Sequence, residues 1–291
     1  MPVMTSAQME GLEVFRRGKV RDTFTLPDGT LLMVATDRIS AFDVVLPTPV
    51  PDKGRVLTQM SRWWFQQSTD IVPNHLLPDD ELPEGVPEDW EDRSMHVRRA
   101  QRIDIECVVR GFISGSGWKE YKQSGTLAGE PLAAGLRESS RLSAPRFTPA
   151  TKSDDGHDIN ISRAQLASLV GRDLAERLES VSIRLFDMAT ARCERAGVYL
   201  ADTKFEFGFI NGALTLIDEV FTPDSSRFWE ISEWREGQTI PSFDKQFVRD
   251  YLETLNWDKT PPGPELPDDV VQGTADRYRE AARRICGIEI A

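Results

Sequence analysis

One segment constrains this 291-residue chain more than any other: Ala201-Asp-Thr-Lys-Phe-Glu-Phe-Gly208, then Asn211-Gly212, then Leu216-Ile-Asp-Glu-Val220. In an extended strand alternate residues share a face, so Asp202, Lys204 and Glu206 point one way and Phe205 and Phe207 the other. Asn-Gly between two such runs predicts a tight antiparallel hairpin. Its register stays open. A two-residue loop pairs residue 210 with 213 and puts Asp218 on the phenylalanine face. A three-residue loop pairs 209 with 213, setting Asp218 opposite Lys204 and diagonal to Glu206. Carboxylates sharing a face repel and resist burial unless a cation joins them, and Mg²⁺ bridging nucleotide phosphates resolves that cost. The phenylalanine face, with Leu216, reads as core.

Two further stretches could meet phosphates. Glu106-Cys-Val-Val-Arg110-Gly-Phe-Ile-Ser114-Gly-Ser-Gly117 reads as a strand, a small-residue turn and a helix from Ser116 to Gln123. Its glycines let backbone N–H groups close on an anion, and Arg110 can add a bidentate contact. Gly18-Lys19-Val-Arg21-Asp22 opens an N-terminal hairpin and can lay two cations over phosphates. Neither stretch is a dinucleotide fingerprint, and no G-x-x-x-x-G-K-[ST] occurs, which excludes a P-loop NTPase. Thr36 to Asp43 and Asp52 to Arg55 crowd polar residues around short apolar pieces, as a substrate wall would; Asp37, Ser40 and Asp43 are its candidates. Lys152-Ser-Asp154-Asp155-Gly-His157-Asp158 looks metal-like but reads better as a polar loop, because no further histidine lies near it.

The organisation is strands first, helices later. Val20–Leu26 and Leu31–Ala35 flank the turn residues Pro27-Asp28-Gly29, and apolar residues at Val56, Met60, Trp63 and Trp64 predict a helix over 55–69. Residues 70–92, with four prolines and nine acids, read as a solvated surface excursion. Residues 95–110 resume extended structure. Residues 125–149 show little periodicity and read as a segment lining a site. Ser162 caps a helix to about Ser180, and a second helix runs to Gly197. Helices follow over 244–256 and 268–286. This order predicts α+β architecture, divided near residue 110 into a β-rich N-terminal lobe (1–110) and a larger α/β part (111–291).

With 35 basic and 47 acidic residues the net charge is −12, a poor match to a nucleic-acid backbone but no obstacle to a few local phosphate contacts. Cys107, Cys193 and Cys286 are widely spaced, with no C-x-x-C, so neither a disulfide framework nor a cysteine zinc site is expected. No apolar run approaches a membrane span, and the N-terminus lacks a secretory pattern. A cytoplasmic protein with no membrane or nucleic-acid partner, as a monomer or small homo-oligomer, is the expectation.

Taken together, these stretches resemble the phosphoribosylaminoimidazole-succinocarboxamide synthase (SAICAR synthetase) family. Beside the segments above, the resemblance rests on Pro51-Asp-Lys-Gly54, Thr151-Lys-Ser153, Gly156-His-Asp158, Pro223-Asp-Ser-Ser-Arg-Phe-Trp229 and Phe243-Asp-Lys-Gln246, in the family's order. The resemblance implies an ATP-dependent ligase joining carboxyaminoimidazole ribotide (CAIR) to L-aspartate, through an acyl phosphate. It also implies ATP in a cleft between a kinase-like N-terminal lobe and the larger C-terminal part. Carried onto this sequence, Lys19 and Arg21 would meet ATP phosphates, and Glu106 to Val108 would form the adenine-side edge. Glu206 and Asp218 would hold Mg²⁺, with Lys204 beside the transferring phosphoryl group. Arg110, Ser114, Gly115, Ser116 and Arg227 would grip the ribotide, and Lys152, Asp154 and Asp155 would face L-aspartate. A kinase that stops at phosphoryl transfer, or a silent nucleotide binder, are the competing readings.

Overall fold

A computed structural model describes residues 3–9, 11–77, 82–152, 159–243 and 245–290. Two antiparallel sheets dominate it. The first has four strands in the order Glu13–Arg17, Arg21–Thr25, Leu31–Ala35, Ser94–Val97. Leu31–Ala35 is buried on both faces: Leu32 and Val34 meet Phe24, Leu26 and Trp90, while Leu31 and Met33 meet Met95, Val97 and helix α1 (Lys53–Gln67). Val56, Met60 and Trp64 form the buried stripe of α1, as their spacing predicts.

The second sheet is built around the 13-residue strand Val198–Ile210. One edge pairs with Ile105–Phe112 and Gln101–Arg102, the other with Ser226–Glu230 and Ala213–Ile217. Beyond Ile105–Phe112 lie Arg141–Phe147 and Ala150–Thr151. Phe205, Phe207, Cys107 and Val109 face a core shared with the helix Arg172–Arg195, leaving the charged face of the same strands for the cleft.

Three expectations change. Ser162 does cap a helix, through a capping box with Gln165, but that helix is Arg163–Val170 and the break falls at Gly171. The apolar stripe Leu178, Val181, Leu185 runs unbroken through residue 180, so no break is needed there. Residues 125–149 contain the strand Arg141–Phe147, whose exposed, polar sequence hid it. Within 70–92, Val72, His75 and Leu76 are buried, and Glu88–Arg93 forms a 3₁₀ turn seating Trp90 in the core. The change from one sheet to the other comes between Val97 and Gln101, and residue 110 lies within the strand Ile105–Phe112. The C-terminal helices Gln246–Glu253 and Asp268–Ala281 pack Val248, Leu252, Val270 and Ala275 against Ile39, Leu46 and Val50 of the N-terminal half. No described helix is long and apolar enough to cross a membrane.

Candidate active site

The hairpin takes the two-residue loop. Ile210 pairs with Ala213, and Asn211 and Gly212 have φ of 51° and 76°, the left-handed pair that a tight hairpin turn requires. Strict alternation would then send Asp218 to the phenylalanine side. The strand stops at Ile217, however, and Asp218 itself is left-handed, with φ 68°. That turn brings its carboxylate into the cleft that Glu206 lines, where it accepts a hydrogen bond from Arg21 Nη2 at 3.1 Å. Burial raises the Asp218 carboxyl above the usual carboxylate range and the neighbouring Glu206 adds to the rise, while Arg21 opposes it. The two acids meet through a backbone kink, not through register.

Neighbouring segments place a third acid, Glu106, and two lysines on this face. Lys204 pairs with Val108 and Phe205 with Cys107, so Glu106 and Glu206 follow side by side. Lys204 Nζ donates to Glu106 Oε1 at 2.8 Å. Lys152, just beyond Ala150–Thr151, lies between Glu206 and Glu106, in contact with Glu206 Oε1 and 3.4 Å from Glu106 Oε1. Burial works against the Lys204 ammonium, but the attraction of Glu106 and Glu206 outweighs it and raises its pKa. All four line a cavity of about 920 Å³ between the two sheets, within the size range of a nucleotide-sized ligand, roughly 300–1,000 Å³.

The N-terminal sheet closes the cavity from the other side. Arg21 reaches both Asp218 and Glu219 Oε1, the latter at 2.8 Å, and Lys19 pairs with Asp43. The attraction of those acids overrides the cost of burial and raises the Arg21 guanidinium further. Lys19, Ser40 and Asp43 line the cavity.

At the far end of Val198–Ile210, Asp202 Oδ2 accepts from Arg110 Nη1 at 2.9 Å and Ser114 Oγ at 3.3 Å, and pairs with Arg227. Arg110 also donates to Ser116 Oγ at 3.0 Å and Thr148 Oγ1 at 3.1 Å. Arg227 lies across Gly115, where a Cβ would stand 2.7 Å from its Nη2. Burial, abetted by Arg227, lowers the Arg110 pKa although Asp202 opposes it. A third cluster gathers on Asp224: Lys53 Nζ at 2.8 Å, Lys245 Nζ at 3.0 Å and Tyr278 OH at 2.7 Å. Burial pushes Lys53 down to about 8 despite Asp224.

The sequence model of the SAICAR synthetase family matches residues 14–264. The phosphoribosylaminoimidazole-succinocarboxamide synthase of Thermodesulfovibrio yellowstonii is 50% identical over 286 residues, covering 97% of this chain and 98% of that protein. The chain belongs to the SAICAR synthetase family. The namesake of Trichlorobacter lovleyi is 49% identical over 96% of each chain. The solved SAICAR synthase of Saccharomyces cerevisiae, described as complexed with SAICAR, is 39% identical, with a TM-score of 0.88 over 99% of both chains.

In this SAICAR synthetase chain the structure brings Lys19, Arg21, Ser40, Asp43, Glu106, Lys152, Lys204, Glu206 and Asp218 to one cavity. Arg110, Ser114, Gly115, Ser116 and Arg227 gather separately around Asp202. One expectation changes. Asp37 is fully buried, accepting from the backbone N–H groups of Met4 and Gly54 and pairing with Arg93 at 3.2 Å, so it anchors the start of α1 instead of lining a substrate wall. Glu106 to Val108 lies inside the sheet, paired on both sides, with the Val108 carbonyl accepting from Thr148 N at 2.8 Å and Glu106 lining the cavity. Asp154 and Asp155 lie outside the described residues. Sequence reasoning left out Asp202, Glu219 and the Asp224 cluster. Asp202 was visible on the charged face of its strand; Glu219 and Asp224 stand in loops, where spacing carries no facial information.

Proposed function

We propose that the 920 Å³ cavity binds ATP and that the chain condenses CAIR with L-aspartate there, giving SAICAR, ADP and phosphate, the reaction of purine biosynthesis for which its relatives are named. The observation that carries this is the meeting of Lys204, Glu206 and Asp218 with Arg21 in one cavity. The ribotide carboxylate is too stable to acylate an amine, so an oxygen of it takes the γ-phosphoryl group and ADP leaves. The aspartate amine then attacks the carboxyl carbon, loses a proton, and expels phosphate. Such a transfer asks the protein for alignment and charge neutralisation rather than for a nucleophile.

Lys204, held by Glu106 in the cavity lining, would meet the transferring group. Arg110, Ser114, Ser116 and Arg227 supply an excess of cation and hydroxyl donors suited to the ribotide phosphate. A divalent ion fits Glu206 and Asp218: these are two crowded carboxylates, one of which burial already holds toward its neutral form. Mg²⁺ bound there supplies charge neutralisation on the phosphates. The N-terminal sheet forms the lobe that covers the nucleotide, and the second sheet with its helices carries the metal and ribotide residues. Three unpaired, buried cysteines accord with a reducing, cytoplasmic setting.

The test is an omission assay with CAIR, L-aspartate and Mg-ATP. ADP release that depends on all three, with aspartate recovered in the product, is the expected result. Release at full rate without aspartate would make the chain a kinase and overturn the ligase reading.

A further inference from the structure

Two of the basic side chains beside the metal carboxylates each hold two acids at once. Lys152 spans Glu206 and Glu106, and Arg21 spans Asp218 and Glu219. In each pair one acid is a metal candidate and the other is not. Ceding Glu206 leaves Lys152 with Glu106, and ceding Asp218 leaves Arg21 with Glu219, so neither cation is stranded in the cleft. Lys204 is different, because its hydrogen bond goes to Glu106 and not to a metal acid. Among the described residues, no group of three or more His, Cys, Asp or Glu gathers closely enough to hold a metal unaided. Two carboxylates leave most of an octahedral shell to be filled from elsewhere.

We propose that Lys152 and Arg21 are resident counter-ions of the metal carboxylates, so that this chain takes a divalent metal only together with a phosphate-bearing nucleotide. A metal arriving alone must break both ion pairs and bind against two cations that Glu106 and Glu219 keep beside it. A metal arriving on a triphosphate brings the anionic oxygens to which Lys152 and Arg21 turn. The inference rests on the reading of this cleft as an ATP and metal site, and it makes Lys152 a coupling residue rather than an aspartate ligand.

The test measures binding of Mn²⁺ to the full chain by electron paramagnetic resonance, alone and with saturating β,γ-imido-ATP. In the unsubstituted chain the analogue tightens Mn²⁺ binding by about 30-fold or more, a coupling of about 2 kcal/mol. Lys152→Met binds Mn²⁺ alone about tenfold tighter, and the tightening by the analogue shrinks by a similar factor. Lys119→Met, which removes an exposed lysine of the Gly115–Ser124 helix, changes neither quantity and controls for net charge. If Lys152→Met binds Mn²⁺ alone no tighter than Lys119→Met, the counter-ion role is overturned. It is also overturned if the unsubstituted chain binds Mn²⁺ equally well with and without the analogue. If Glu206→Gln leaves Mn²⁺ binding with the analogue unchanged, the metal assignment falls, and this inference with it.

Discussion

The two ends of the strand Val198–Ile210 carry opposite charge balances. At Asp202 one carboxylate faces two guanidinium groups, Arg110 and Arg227. At Glu206 the acids Glu106, Glu206, Asp218 and Glu219 outnumber Lys152, Lys204 and Arg21. Four residues separate the two, or about 13 Å of extended chain. The strand therefore acts as a ruler: it fixes how far an anion-seeking pocket stands from a cation-seeking one. Under the proposed reaction, the ribotide phosphate would sit at the cationic end and the carboxylate to be phosphorylated toward the acidic one.

The comparison breaks first at its acidic end. Glu206→Gln and Asp218→Asn should each lower kcat by about 1,000-fold, roughly 4 kcal/mol of barrier, while the melting temperature moves by only a few degrees. Steady-state kinetics beside thermal melting checks this; near-normal turnover in either variant removes the metal seat from this end.

His75 lines the same end, buried beneath Asp218. Burial pushes its imidazole down to about 4, with Asp218 opposing and Arg21 adding to the fall. Between pH 4 and 6.5 the native chain binds fewer protons at His75 than the unfolded chain does. Its stability is therefore complete above pH 6.5 and declines toward pH 4, by up to about 3 kcal/mol. Urea unfolding at pH 7 and pH 5 should show a steeper loss in the natural chain than in His75→Gln; parallel losses would show that His75 does not drive it.

At the cationic end the effect is smaller and falls on binding. Arg227→Ala should raise the KM for the ribotide by about 30-fold and leave the KM for ATP within about threefold. Equal changes in both constants would erase the distinction between the two ends. The smallest effect belongs to the Asp224 cluster, at a residue outside the cavity lining that Asp224 and Lys245 share with the acidic end. Tyr278→Phe deletes one hydrogen bond to a carboxylate that keeps two lysines, so it should cost about 1.5 kcal/mol of stability. Activity measured well below the melting transition should hold.

The strands and the charged face of 201–208 were legible because period-two alternation reports directly on which side chains share a face. The meeting of Glu206 with Asp218 was legible as chemistry but not as geometry. The two-residue turn argued against it, and only the left-handed backbone at Asp218, which no spacing encodes, brings the acid round. Glu106 was legible as a lone polar residue in an apolar run. Its partner Lys152 was assigned elsewhere, because the pairing of Ala150–Thr151 with Ile105–Glu106 joins segments more than forty residues apart. Asp37 misled for the opposite reason: its polar neighbours suggested a wall, yet two backbone N–H groups and Arg93 consume it. Long-range partners of that kind leave no local mark.

The conformation of residue 218 bears on which acid can serve there. Positive φ is tolerated by aspartate and asparagine far better than by most other side chains bearing a Cβ. Lengthening the side chain to glutamate would tax the backbone as well as move the carboxylate by one methylene, whereas asparagine keeps the bend and loses only the charge. The choice of aspartate at this position is thus written into the main chain before any ion or nucleotide exerts a preference of its own.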